Sequence, residues 1–255
     1  MSPAEALAVF AAGLGAGTIN TIVGSGTLIT FPVLLAVGLP SVTANVSNTL
    51  GLVPGSAVGA IGYRRELAGQ RARLLRLGGI CLLGGVIGAL LLVTLPSAAF
   101  DAIVPVLIGV SLVLVVFQPR LSRALHARRE RAGTPASSYG GPALLLGMLL
   151  ASMYGGYFGA AQGVLYLSLM GALLSEPLQR VNGLKNVLAS LVNGVAALFF
   201  VIVADMDWAA VALIAAGSAL GGLIGARVGR RLPPAVLRGL IVVVGIVAIV
   251  ELILN

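Results

Sequence analysis

The sequence predicts an all-α membrane protein, a polytopic bundle of transmembrane helices built from two inverted repeats. Three features predict this fold: an apolar composition, apolar segments long enough to cross a bilayer, and a repeated order of short and long segments. Hydrophobic residues make up 58% of the 255 residues, charged residues 9%, and the mean hydropathy is +1.07. Eight acidic and sixteen basic side chains cannot cover the surface of a soluble domain of this length.

The apolar segments indicate helices rather than the strands of a barrel. Barrel strands alternate apolar and polar residues, whereas these segments are continuously apolar. In lipid the backbone must satisfy its own hydrogen bonds, which a helix does within one segment. Ten segments are predicted, at about residues 4–23, 27–38, 41–63, 74–95, 98–117, 142–158, 162–174, 177–204, 208–228 and 234–254.

Two glycine-rich breaks separate pairs of short segments. GSGT at 24–27 joins the first and second segments, and GGYFGAAQ at 155–162 joins the sixth and seventh. The order of two short and three long segments occurs twice, and because five is odd, the second set enters the membrane from the opposite side. Inverted repeats with interrupted helices at matching positions are typical of secondary transporters. We predict a first repeat at 1–117, a basic linker at 118–141 and a second repeat at 142–255.

The basic residues predict the orientation of the chain. With ten crossings, all fifteen arginines fall on one side, in the linker or in the connections after segments three, seven and nine. The opposite side carries no lysine or arginine, and its acidic residues are Glu5, Asp101, Asp205, Asp207 and Glu251. By the positive-inside rule the arginine-rich side is cytoplasmic, so both termini face outwards from a plasma or inner membrane. The same parity holds if each short pair is a re-entrant hairpin.

The few polar residues inside the apolar segments cluster at the breaks and at a repeated asparagine motif. NVSNT at 45–49 in the third segment aligns with NGLKN at 182–186 in the eighth. Polar groups that face lipid are costly, so these side chains are expected to face the bundle interior. The predicted substrate-binding residues are Asn20, Ser25, Gly26, Thr27, Asn45, Asn48, Thr49, Tyr157, Gln162, Asn182, Lys185 and Asn186, with Thr21, Thr30, Ser47, Tyr154 and Asn193 as further interior polar residues.

The breaks have a direct chemical use. A helix that begins in mid-membrane presents unpaired backbone N–H groups and the positive end of its dipole. Such a start binds an anion without any charged side chain. Two of them, near 25–27 and 160–162, are expected to point toward each other across the axis that relates the repeats. The alternative is that these small residues only permit close helix packing, since the chain contains 35 glycines.

Lys185 is the only lysine in the chain. It lies about two turns, roughly 10–12 Å, inside the eighth segment at 1.5 Å per residue. Placing an ammonium group at the bilayer centre costs about 2.5–3.5 kcal/mol on insertion scales. A bound anion or the negative end of a helix would offset that cost. The alternative is that the lysine stem extends back to the cytoplasmic interface.

Composition and motifs argue against several other functions. No acidic residue lies deep in a segment, so a carboxylate relay for protons or sodium is not predicted. Cys81 and His126 are each single, so no disulfide, metal site or cofactor is expected. The net charge of +8 reflects cytoplasmic arginines rather than a nucleic-acid partner. The N-terminus lacks a basic n-region, so no cleavable signal peptide is expected.

Three stretches of the sequence resemble the TauE/SafE family of sulfite and organosulfonate exporters. They are GTINTIVGSGTLITFP at 17–32, GLP at 38–40 followed by ANVSNT at 44–49, and YGGYFG at 154–159 followed by LKN at 184–186. The resemblance covers nearly the whole chain. It departs from the family pattern where Ala160, Ala161 and Gln162 fill glycine-rich positions, and where Asn48-Thr49 stands in place of the usual lysine after an asparagine.

The resemblance implies a small secondary carrier that moves sulfite, sulfonates or related sulfur-containing anions across a plasma membrane. We predict an exporter of small sulfur-containing anions such as sulfoacetate, with alternating access around a midplane site between the repeats. The expected partners are the substrate and the bilayer, and a homodimer is compatible with the sequence. The alternatives are a channel or importer of another small anion or neutral solute and, more remotely, a membrane enzyme or structural subunit.

Overall fold

A computed structural model describes residues 1–131 and 140–228, together with the isolated positions 239 and 243. Every element in this part of the chain is an α-helix, which confirms the predicted all-α fold. The described residues form nine helices: α1 (Pro3–Ile22), α2 (Thr27–Ala36), α3 (Ser41–Gly62), α4 (Arg71–Thr94), α5 (Ser97–Arg131), α6 (Pro142–Tyr157), α7 (Gln162–Leu173), α8 (Leu178–Val203) and α9 (Trp208–Val228). The tenth predicted segment, at 234–254, and the arginines at 230, 231 and 238 lie outside the described residues.

Local sequence determines where several helices begin. α1 starts with a capping box, in which the Ser2 hydroxyl accepts from the amide of Glu5 and the Glu5 carboxylate accepts from the amide of Ser2. Pro40 precedes α3 with φ −56° and ψ 146°, and Pro177 precedes α8 with φ −59° and ψ 147°. The two helices that carry the asparagine motif therefore begin in the same way.

α5 is longer than the sequence predicted. The fifth segment was expected to end at 117 and to be followed by a loop over 118–141, but the helix continues to Arg131. Residues 120–131 read RLSRALHARRER, which is rich in alanine, leucine and arginine and lacks glycine. These residue types have high helix propensity, so charge alone did not end the helix.

The pattern of helix contacts in the first half is repeated in the second, with α1, α2, α3 and α4 corresponding to α6, α7, α8 and α9. α1 packs on α9 and α6 packs on α4, α3 packs on α9 and α8 packs on α4, and α3 and α8 pack on each other. Within each half, the contacts of α1, α2 and α3 with one another match those of α6, α7 and α8. This pattern supports two equivalent repeats, and the inversion of the second repeat remains a prediction.

Five helices in the described part are long and apolar enough to cross a membrane: α1, α4, the Ser97–Phe117 part of α5, α8 and α9. α2 and α7 have 10 and 12 residues, which at 1.5 Å per residue is too short for a core of roughly 30 Å. Large apolar side chains cover the outside of the bundle, as on α8, where Leu198 is 69% and Ile202 is 77% exposed. Such a surface is suited to contact with lipid.

Candidate functional site

The two breaks have the same backbone geometry. Each of α1 and α6 ends with two successive amides that donate to one carbonyl, that of Ile19 at 2.7 and 3.1 Å and that of Tyr154 at 2.9 and 3.1 Å. The second amide belongs to Gly24 in the first break and to Gly159 in the second, with φ +90° and +79°. Glycine adopts this left-handed conformation without the steric cost that a side chain would bring. Both helices therefore end in the same hydrogen-bonded turn with a glycine at its last position.

The two breaks touch each other through backbone atoms. The amide of Gly163, at the start of α7, donates to the carbonyl of Gly24 at 3.0 Å. A Cβ on Gly24 would lie 2.3 Å from the Cα of Gly163, and a Cβ on Gly163 would lie 2.4 Å from the Cα of Gly24. No side chain fits at either position. Ala161, which precedes α7, has φ +58°, a conformation that costs a non-glycine residue about 1–2 kcal/mol.

Lys185 is fully buried, and its ammonium group lies at the end of α1. Its Nζ donates to the carbonyl oxygens of Asn20 and Thr21 at 2.8 and 3.0 Å, and the residue is 0% exposed. These carbonyls belong to the last turn of α1 and carry the negative end of its dipole. Of the two partners expected to offset the charge, the helix end is present, and the side chain lies wholly inside the bundle. No carboxylate in the described part of the chain forms an ion pair with Lys185.

Asparagines of the repeated motif cap a helix end in the opposite half. The Nδ2 atoms of Asn182 and Asn186, on α8, donate to the carbonyl of Thr21 at 3.3 and 3.2 Å. The Nδ2 of Asn45, on α3, donates to the carbonyl of Tyr157, the last residue of α6, at 2.9 Å. Thus α8 caps α1 and α3 caps α6. Asn45 and Asn182, which the sequence alignment paired, each donate to a carbonyl in the last turn of the broken helix of the opposite half.

Two further asparagines contact the start of α2. The Nδ2 of Asn48 donates to the hydroxyl of Thr27 at 3.2 Å, and its Oδ1 accepts from the hydroxyl of Thr30. The Oδ1 of Asn20 accepts from the amide of Gly26 at 3.5 Å. Asn48 occupies the position that aligns with the lysine of α8. One half therefore places an amide where the other half places an ammonium group.

Two predicted site residues form hydrogen bonds within their own helices. The hydroxyl of Thr49 donates to the carbonyl of Asn45 in α3 at 2.8 Å. The amide of Gln162 donates to the hydroxyl of Tyr166 at 2.8 Å, within α7. No hydrogen bond among residues 1–131 and 140–228 links Gln162 to Lys185. Gln162 therefore belongs to the packing of the α6–α7 pair in this conformation.

Several buried polar atoms around the breaks have no hydrogen-bond partner among the described residues. They are Thr21 Oγ1, Ser25 Oγ, Asn45 Oδ1, Tyr157 OH and Asn182 Oδ1. Thr21, Ser25 and Asn45 are 0% exposed, and Asn182 is 6% exposed. Buried polar side chains almost always have partners, so their concentration here indicates a place for a polar ligand or water. In the same part of the chain, no group of acidic, histidine or cysteine residues is arranged to hold a metal ion.

Sequence reasoning missed two serines that support the site. Ser56 accepts from the Nδ2 of Asn20 at 2.9 Å. Ser111 hydrogen-bonds the hydroxyl of Tyr154 at 2.6 Å and donates to the carbonyl of Ala160 at 3.3 Å. Ser56 follows Asn45 by eleven residues, which is about three helical turns. Helical periodicity could therefore have placed it on the same face of α3 as Asn45. The isolated Ser111 gave no comparable signal.

A second polar cluster joins the halves on the arginine-rich side. The carboxylate of Glu176 accepts from Arg73 of α4 at 3.0 Å and from Arg180 of α8 at 2.6 Å. Burial acts to raise the pKa of Glu176, but the hydrogen bonds from Arg180 and Arg73 outweigh it and hold the pKa below the ordinary value of 4.5. The Nε2 of Gln70 also donates to the carbonyl of Arg180 at 3.2 Å. These bonds tie the α3–α4 connection to the α7–α8 connection.

Comparison with known proteins identifies the family. The family model described as "Sulfite exporter TauE/SafE" matches residues 9–252. The chain belongs to the TauE/SafE family. The probable membrane transporter protein YfcA of Escherichia coli strain K12 is 26% identical over 248 residues, which is 97% of this chain and 89% of the relative. A probable membrane transporter protein of Haemophilus influenzae is 28% identical over 222 residues, covering 86% of this chain and 83% of the relative. No solved structure matches the chain.

Family membership gives the site its biological context. The relatives are named probable membrane transporter proteins, and five helices in the described part of this chain are long and apolar enough to span a bilayer. This TauE/SafE family member is therefore a membrane transporter. Many of its buried polar residues in the described part of the chain lie at or beside the two breaks.

Proposed function

We propose that this transporter exports small sulfur-containing anions, sulfite or organosulfonates such as sulfoacetate, from the cytoplasm. Alternating access would take place around a midplane site at the interface of the two halves. The observation that carries the proposal is Lys185, a fully buried ammonium group without a carboxylate partner in the described part of the chain. The family description, sulfite exporter, supports the substrate class and the direction.

The charge balance at the breaks favours an anion. Two α1 carbonyls solvate Lys185, but the last turn of a helix carries only about half an elementary charge. The ammonium group therefore leaves a net positive potential beside the break. The starts of α2 and α7 add the positive ends of their dipoles to the same region, and Gly163 of α7 touches Gly24 of the break. An anion would complete this balance, whereas a cation would be repelled.

The unpartnered polar atoms suit an oxyanion with several oxygens. The hydroxyls of Thr21, Ser25 and Tyr157 can donate to sulfite or sulfonate oxygens. The side-chain oxygens of Asn45 and Asn182 are hydrogen-bond acceptors, and the bonds from their Nδ2 atoms to backbone carbonyls fix the orientation of each amide. They can receive a hydrogen bond from water or from a protonated substrate oxygen. The site thus offers both kinds of contact that a partly hydrated oxyanion needs.

The membrane potential provides a driving force for export. Moving one negative charge out of a negative interior releases about 2.3 kcal/mol per 100 mV. The acidic residues predicted for the outer face, such as Asp101 and Asp205, lie at helix ends and offer no carboxylate relay. We therefore propose uniport of the anion. The equivalent packing of the two halves supports an alternating-access movement of one half against the other.

Thermal-shift measurements on the purified protein test the site. Sulfite, sulfoacetate, thiosulfate, sulfate and taurine are compared for wild type, for Lys185→Met and for Arg123→Gln. Arg123 is an exposed control on the distal part of α5. At an anion concentration of 100 times Kd, binding adds about 2.7 kcal/mol of stability, which is several degrees in Tm. We expect such a shift for wild type and Arg123→Gln and its loss in Lys185→Met.

Efflux from proteoliposomes tests direction and coupling. Sulfite efflux is expected to follow an imposed potential and to ignore a proton gradient. Efflux that follows the proton gradient instead would contradict uniport while leaving the anion site intact. No shift with any anion, together with transport of a neutral solute by Lys185→Met, would contradict the anion site itself.

A further inference from the structure

A separate groove lies at the ends of α3 and α9. It encloses about 440 Å³ and is open on one side, and its apolar wall includes Val58, Ile61 and Leu223. Ile61 is 61% and Leu223 is 43% exposed, so this wall faces outwards. The groove is distinct from the break region, since the residues that line it make none of the contacts described for the candidate substrate site.

The floor of the groove is formed by the close approach of the two helices. A Cβ on Gly62 would lie 2.3 Å from the Cβ of Ala226, so the absence of a side chain at Gly62 permits this approach. Gly62 is the last residue of α3, and Ala226 lies in the last turn of α9. The groove therefore opens at the level where these two helices end.

Two arginines form the polar end of the groove. Arg64 follows α3, and Arg227 is in the last turn of α9, and both line the cavity. Both are exposed, and within residues 1–131 and 140–228 neither forms an ion pair. The negative ends of the two helices stabilise these positive charges, but each end carries only about half an elementary charge. The two guanidinium groups together therefore keep a net positive charge. An anion that bridges the arginines would provide the counter-charge.

We propose that this groove binds an anionic phospholipid, with its phosphate group between Arg64 and Arg227 and its first acyl carbons against Val58, Ile61 and Leu223. Guanidinium groups bind phosphate through paired N–H donors, and arginine is suited to this geometry. Basic pockets between transmembrane helices on the cytoplasmic side are sites at which anionic headgroups bind. An apolar wall that continues from a basic mouth matches the two parts of one lipid molecule.

Native mass spectrometry of the full-length protein tests the proposal with two probes, dioctanoyl-phosphatidylglycerol and dioctanoyl-phosphatidylcholine. Wild type is expected to bind the anionic lipid more tightly. One basic side chain near an anionic lipid surface contributes about 1 kcal/mol, which is about fivefold in affinity. The double variant Arg64→Gln with Arg227→Gln is therefore expected to bind phosphatidylglycerol about 25-fold more weakly, with binding of phosphatidylcholine unchanged.

The matched control is Arg76→Gln with Arg123→Gln, which removes two exposed arginines that do not line the groove. Its affinity for phosphatidylglycerol is expected to stay within about twofold of wild type, since neither side chain lines the groove and both charges are screened by salt. Replacement of Arg64 and Arg227 by lysine keeps both charges but loses the paired donors, so it is expected to restore only part of the binding. Tm without lipid checks the fold of each variant.

Two results of the lipid measurements would overturn the proposal. One is equal affinity of wild type for the two lipids, and the other is an equal loss of phosphatidylglycerol binding in both double variants. Glycerol 3-phosphate, a headgroup without acyl chains, is expected not to compete, and effective competition would show a soluble phosphate site instead. Sulfite binding is measured in parallel, and it is expected to be unaffected because neither arginine belongs to the candidate substrate site.

Discussion

The amide of Gly163 donates a hydrogen bond of 3.0 Å to the carbonyl of Gly24, and this bond joins the two helix breaks of the chain. Both residues are glycine because a Cβ on either would meet the other's Cα at 2.3–2.4 Å. The contact brings the end of α1 beside the start of α7. Among the described residues outside regular helix hydrogen bonding, it is the backbone-to-backbone hydrogen bond that links the two halves.

Gly163→Ala is expected to lower the stability of the protein. The added methyl group must displace backbone, and overpacking of this kind costs about 1–3 kcal/mol. Gly171→Ala is the control, because it lies in the same helix, where an added Cβ would have nothing within 4 Å, and it should gain about 0.5–1 kcal/mol from helix propensity. Thermal unfolding in detergent measures both. Equal Tm values for the two variants would show that the contact at Gly24 is not tight.

Lys185→Met is expected to abolish anion binding while changing stability by less than about 1.5 kcal/mol. Removing the ammonium group loses two charge-assisted hydrogen bonds of about 1.5–3 kcal/mol each, and it also removes a desolvation penalty of several kcal/mol. The carbonyl of Thr21 keeps its bonds from Asn182 and Asn186. The measurement is Tm with and without sulfite. Failure of the variant to fold would indicate that Lys185 serves mainly to cap α1.

Glu176 predicts how stability depends on pH. Its pKa is lowered in the folded protein, so its contribution is complete above the ordinary value of 4.5 and is lost as the pH falls below 4.5 through the lowered folded value. Glu176→Gln is expected to lose about 1–3 kcal/mol at neutral pH, because two charge-assisted hydrogen bonds are weakened. It should also lose less stability than wild type on acidification.

Asp205→Asn, which changes an exposed carboxylate, is the control for this pH experiment. Its unfolding curve is expected to follow wild type at every pH. The informative range is about pH 5 to pH 3, which begins just above the ordinary pKa of 4.5 and continues through the lowered folded value. If Glu176→Gln and wild type lose stability in parallel over this range, the ion pairs contribute nothing that depends on protonation of Glu176.

The predicted orientation can be tested with single cysteines. Cys81 is the only cysteine and is fully buried, so Cys81→Ala gives a background without reactive thiols. Cysteines at the exposed positions Arg65 and Arg123 are expected to react with a membrane-impermeant maleimide only from the cytoplasmic side. Cysteines at Ser97 and Asp205 are expected to react from outside. Labelling of all four from one side would contradict the predicted topology.

Much of the architecture could be predicted because hydrophobic length and helix-breaking residues are local properties. The two breaks, the interior position of Lys185 and the equivalence of Asn45 and Asn182 were all visible in the sequence. The acceptors of these side chains were not, because they depend on which helix of the other half lies opposite. The direction of Gln162 likewise depends on Tyr166, which packs in the core of the α6–α7 pair.

The length of α5 could not be predicted from hydropathy. After residue 117 the hydropathy of the sequence falls, but its helix propensity stays high. The segment 120–131 is charged, yet the alanine and leucine between its arginines continue the helix to Arg131. Polarity therefore marked the end of the apolar span rather than the end of the helix. The described helix and the predicted linker overlap over residues 118–131.

The capping of each break by the opposite half has a consequence for biogenesis. Thr21 of α1 and Asn182 of α8 are 161 residues apart in the chain. At about 5–20 residues per second, a ribosome takes roughly 8–30 s to synthesise that interval. During this time the end of α1 lacks Asn182, Lys185 and Asn186, so the first break completes its polar contacts only after α8 has entered the membrane. The end of α1 therefore cannot reach its final hydrogen-bonded state until α8 has been synthesised. In a nascent chain truncated before α8, the carbonyls of Asn20 and Thr21 would bond to water or to the insertion machinery instead.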